Sequence, residues 1–102
     1  MTYAVLWCGS HDPIRAGRLD LLPASLVLEG SSLGDVGRHE VAYADISTVD
    51  IGRTQEQRLR GRPVALIEES DGSVLRIASL GGAGLLGELV ERVDEARHGV
   101  RT

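Results

Sequence analysis

The residue types that do chemistry are present in this chain, but their spacing rarely suits it. Cys8, His11 and Asp12 lie close together, the kinds of side chain that make a thiol nucleophile and its base. Such a pair must sit within hydrogen-bond reach. Here Gly9-Ser10-His11-Asp12-Pro13 is dense turn chemistry that ends an apolar run, so core and turn roles explain these residues better. His11, His39 and His98 are far apart, and none has a second ligand at metal-binding spacing. Glu68 and Glu69 are adjacent; on a strand they point to opposite faces and cannot share a proton-transfer task. Gly81-Gly82-Ala83-Gly84 precedes a helical pattern, where free N–H groups can meet a phosphate. No Gly-Lys-Ser/Thr follows, and the spacing is not the dinucleotide fingerprint. A strand-to-helix hinge is the reading adopted. No catalytic residue, metal or cofactor is expected, and the chain is not read as an enzyme.

Four arginines carry the best electrostatic feature: Arg53, Arg58, Arg60 and Arg62, opposed locally only by Glu56. Guanidinium forks match carboxylate and phosphate, so this stretch is the candidate contact for an acidic partner or an anionic membrane surface. The competing reading is a solvated loop that offsets acids on neighbouring strands. No aromatic residue is interleaved for base stacking, and the net charge of −4 gives no overall footprint for nucleic acid. All 11 basic residues are arginine, which points to coding bias, so an arginine is not by itself a recognition residue. A second candidate is apolar. Tyr3 and Trp7 lie on the N-terminal strand, either capping the core or forming an exposed patch for a partner or a second copy.

These residues belong to a chain of 102 residues, enough for one domain with a core of its own. Tyr3, Trp7 and Tyr43 are the only aromatics, so the core must be aliphatic. The single Cys8 excludes an intramolecular disulfide and suits a reducing interior. The apolar run 3–8 is too short to span a membrane and has no basic flank for secretion. A cytoplasmic location is therefore expected.

Strands are expected at 3–8 (apolar on both faces), 14–22, 25–29, 38–43 and 46–53, with a flexible loop at 30–37 and a polar loop at 54–61. A bend at Ala44-Asp45 turns the corner between sheets. The runs 63–67 and 74–80 flank Asp71-Gly72, a two-residue hairpin signal. With those two residues as the turn, Leu66 falls opposite Ile77, and Val64, Leu66, Leu75 and Ile77 share a face. A helix over about 82–98 follows, with Leu85, Leu86, Leu89, Val90, Val93 and Ala96 on one stripe and Gly99 as its stop.

Seven strands and one closing helix, in that order, resemble bacterial pleckstrin-homology-like and GRAM-like domains. Gly17-x-Leu19-x-Leu21 with Leu26-x-Leu28-x-Gly30 resembles their glycine-and-leucine hairpin. Val41-Ala42-Tyr43-Ala44-Asp45-Ile46, with Val49 and Ile51, resembles the segment leading into their second sheet. The resemblance covers nearly the whole chain. It implies a seven-stranded antiparallel sandwich or barrel, mainly β, capped by one C-terminal α-helix. It also implies a binding module for protein or lipid headgroups. The phosphoinositide-binding members carry a basic motif around the first two strands. Here only Arg15 and Arg18 match that region, at another spacing and beside Asp12 and Asp20. A protein partner or self-association is expected, with sheet-edge pairing as the most natural mode.

Overall fold

Alternating apolar residues draw seven short strands from this chain. In the computed structural model, which describes residues 1–82 and 84–100 (of Val100 the backbone only), these are β1 (Thr2–Cys8), β2 (Arg15–Leu21), β3 (Ser25–Ser32) and β4 (Asp35–Ala42), then β5 (Ile46–Gly52), β6 (Val64–Glu69) and β7 (Val74–Ser79). One helix, α1 (Leu85–Val100), follows. All strand pairs are antiparallel, in the order β4-β3-β2-β1-β7-β6-β5. The sheet curls into a half-barrel. A short 3₁₀ turn, Tyr43–Asp45, makes the corner expected at Ala44-Asp45, and α1 lies against that turn and β5, β6 and β7. No helix among the described residues is long and apolar enough to cross a membrane.

The inner face of the sheet and the stripe of α1 enclose the main core, including Val5, Leu19, Leu28, Ile67, Ile77, Leu89 and Val93. A smaller cluster lies on the outer face: Leu6, Cys8, Leu59, Val64 and Ala78, flanked by Ile14 and Leu66. Two clusters account for β1 being apolar on both sides.

The structure corrects the reading in four places. First, the β6–β7 turn has three residues, 70–72, closed by Glu69 N–H to Ser73 O at 2.8 Å and Gly72 N–H to Glu69 O at 2.9 Å. Ala65, not Leu66, therefore stands opposite Ile77. That shift sends Ala65 and Ile67 to the main core and Val64 and Leu66 to the outer cluster. Second, 30–37 is no loop. β3 and β4 run to a two-residue turn, Leu33-Gly34, with φ of 50° and 84°, the positive pair a type I′ turn requires. Third, 54–61 is a loop, as expected, but not a wholly solvated one, since Leu59, 1% exposed, anchors it in the outer cluster. Fourth, α1 starts at Leu85 and continues through Gly99, so that glycine does not end it.

Candidate functional site

The arginine stretch owes its shape to Leu59. As the chain leaves β5, Thr54 O accepts from the N–H groups of Gln57 and Arg58, at 3.0 and 3.1 Å, forming a tight turn. Leu59 then drops into the outer cluster, and Arg60-Gly61 reverses the chain with φ of 49° and 79°. Leu59 and Arg62 exchange two main-chain hydrogen bonds across that turn, at 3.1 and 2.9 Å. An apolar anchor with a tight turn on each side makes this segment a fixed platform.

Its arginines are partly built into the platform. Arg58 donates from Nε to Arg53 O at 2.9 Å and from Nη1 to Gly61 O at 3.1 Å. Arg62 Nη1 donates to Ser79 O at 3.2 Å. A fifth arginine joins from β7, where Arg76 Nη1 reaches Glu56 O at 3.2 Å and Gln57 O at 3.4 Å. The side chains of Arg53 and Arg60 are exposed and have no partner among the described residues. So the four candidate arginines share one platform, and Arg76 completes it. Sequence reading missed Arg76 because its link to the loop is a cross-sheet contact, and the register that sets Arg76 opposite Leu66 on β6 emerges only from the structure.

The ion pairs divide the arginines into two sets. Arg15, Arg18, Arg38, Arg92 and Arg97 each lie within 4.0 Å of a carboxylate. None of Arg53, Arg58, Arg60, Arg62 and Arg76 has such a partner among the described residues. Glu56 is the only acid within the segment 53–62, and Asp50, just before it, uses Oδ1 to accept the Ile51 N–H at 2.8 Å. The loop is thus a concentrated positive field on a chain of net charge −4. That outcome differs from a loop whose guanidiniums offset nearby acids.

Tyr3 and Trp7 do not form an exposed patch. They are 6% and 2% exposed, because both project to the inner face of β1. Trp7 lies over Gly30, where a Cβ would come within 2.9 Å of Nε1, and donates from Nε1 to Glu29 O at 3.1 Å. Arg15 stacks above the indole, 5.4 Å from its centroid, and binds Asp35 at 2.8 Å. Tyr3 OH donates to Glu88 Oε1 on α1 at 3.2 Å. Burial, and next the Glu88 carboxylate, push its phenol pKa upward.

The open end of the half-barrel holds a cavity of about 400 Å³ lined by Trp7, His11, Arg15, His39, Glu69 and Val74, among others. His39 Nε2 lies 3.2 Å from Glu69 Oε2, which also accepts from Ser73 Oγ at 3.2 Å. Cys8 belongs to the outer cluster whereas His11 lines this cavity, so the structure does not bring them together as nucleophile and base. Glu68 turns outward to Ser47 while Glu69 turns to His39. Among the described residues no three His, Cys, Asp or Glu side chains are grouped to hold a metal ion. The Gly81–Gly84 hinge includes Ala83, which lies outside the described residues.

No protein-family model and no curated protein sequence matches the chain. A solved structure does: the C-terminal domain of an unknown protein from Leishmania infantum, with a TM-score of 0.62 at 13% identity, over 91% of this chain and 81% of that one. The likeness is one of fold.

Proposed function

We propose that this chain is a non-catalytic binding module of the pleckstrin-homology-like type, and that it holds a protein partner by an acidic segment laid on the arginine platform. The element order, the half-barrel and the C-terminal helix support the family reading. The observation that carries the function is the separation of the described arginines: five are ion-paired within the fold, and the five at the platform have no carboxylate partner among the described residues. Three platform guanidiniums are held by main-chain carbonyls, so little side-chain freedom is lost when a carboxylate arrives.

A protein partner is favoured over a membrane for two reasons. The exposed part of 53–62 contains no large apolar residue to enter a bilayer. The acids outside the platform would also be repelled by an anionic surface. Arg15 and Arg18, which match the headgroup-binding region of the family, are already paired with Asp35, Asp20 and Glu29.

The test is fluorescence anisotropy with a labelled oligoglutamate peptide, run beside co-sedimentation with phosphatidylserine vesicles. The expected result is peptide binding that weakens with salt and falls at least about tenfold in Arg53→Glu with Arg60→Glu. Those two side chains make no bond in the fold, so the variant should fold normally. Binding to vesicles without peptide would move the site to a membrane, and binding to neither would end this reading.

A further inference from the structure

The sheet has two edges, and they are treated differently. At β5 the register slips between Ile46 and Thr48, α1 packs against the strand, and Arg97 Nη1 takes Ser47 O at 2.9 Å. A bulge and a covering element are standard ways to close an edge. At β4 neither is seen among the described residues. Eight residues pair with β3 without a shift, and no other strand pairs with β4. Its far side offers free N–H and C=O groups.

Along β4 the outward-facing residues are Val36, Arg38, Glu40 and Ala42, while His39 and Val41 face inward with Leu28 and Leu26. We infer that β4 pairs with β4 of a second copy of this chain, antiparallel, about a two-fold axis through His39. In that register Arg38 of each copy stands opposite Glu40 of the other, and Val36 opposite Ala42. Both cross-copy charge pairs form at once, beside the Arg38–Glu29 and Arg38–Glu40 pairs within each copy, and Val36, which is 80% exposed, gains an apolar neighbour. A slip of two residues either way sets Arg38 against Arg38 or Glu40 against Glu40, which cross-strand pairing penalises. Because the β5 edge is closed, pairing stops at a dimer and does not grow into a fibre. An interface of one strand pair is small, so the dimer is weak and concentration-dependent.

Sedimentation equilibrium over a wide concentration range tests this on the chain alone, independently of any acidic ligand. Self-association is expected, weakened roughly tenfold by Arg38→Glu or by Glu40→Arg, since each turns two opposite-charge pairs into two like-charge pairs. The exchange of both, Arg38→Glu with Glu40→Arg, is expected to restore it. Should a single variant fail to fold, amide shifts of the unaltered chain against concentration decide the matter, with changes expected along 35–42. A monomer at every concentration overturns the inference. So does a dimer that ignores the single reversals, one that the double exchange does not restore, or concentration-dependent shifts lying elsewhere.

Discussion

Trp7 and Arg15 are accommodated by what is missing beneath them. A Cβ at Gly37 would come within 2.4 Å of Arg15 Nε, so the guanidinium rests on bare backbone, as Trp7 does on Gly30. Gly17 is tighter still: a Cβ there would lie 1.9 Å from Glu29 O. Gly17→Ala should therefore force β2 and β3 apart and cost roughly 2–4 kcal/mol by chemical denaturation. In the sequence Gly17 and Gly30 showed only as part of the family-like glycine-and-leucine hairpin, and 30–37 read as a loop. Their role arises only from strands they face across the sheet. Tyr43 was more legible, as part of the segment that resembles the family's lead into its second sheet. Its hydroxyl donates to Leu22 O at 2.7 Å, and Tyr43→Phe should lower stability by about 1 kcal/mol. Burial pushes this phenol pKa up. Its contribution is complete below the unfolded tyrosine range near pH 10 and is lost as pH rises through the higher folded value. An alkaline melt series that is steeper for the parent than for Tyr43→Phe would show it.

Turns decided what the strand pattern could not. Asp-Gly after β6 suggested a two-residue hairpin, but Asp71 Oδ1 accepts the Ser73 N–H at 2.9 Å, and Gly72 takes φ of 91°. An Asp side chain that caps its own turn favours the three-residue loop with glycine last. Since β6 is apolar on both faces, its pattern was compatible with either register. Asp71 is held below the usual carboxylate range by its Ser73 hydrogen bonds, and Asp94 by its bond to Arg97. Both contribute fully above the unfolded range near pH 4, and the contribution is lost as pH falls through the lower folded values. Thermal melts from pH 5 to pH 2 should decline less steeply for Asp71→Asn. At the opposite hairpin Leu33 is fully exposed with φ of 50°. Leu33→Asn suits that conformation and should stabilise by about 0.5–1 kcal/mol. The helix was the most legible element, because its apolar stripe needs only its own period to be read. Leu89 is 0% exposed; Leu89→Ala should cost about 3 kcal/mol, and Leu89→Asp should abolish the cooperative melt.

Over the whole molecule, charge is sorted in a way the sequence only half displayed. The cluster from Arg53 to Arg62 was visible as a run. That Arg76 belongs with it, and that every other described arginine is neutralised, required the fold. The same holds for Leu59, one apolar residue in a polar stretch, which turns a presumed loop into a platform. The mainly β architecture followed from alternation and from one helical stripe, whereas the edges and the open-end cavity arise from register and curl. The ligand proposed for the platform is an acidic protein segment. Amide chemical-shift mapping with an oligoglutamate peptide tests that most directly. Shifts should gather at 53–62 and at Arg76, and shrink with added salt. Shifts gathered at the open-end cavity around Arg15 and His39, or none at all, would contradict it.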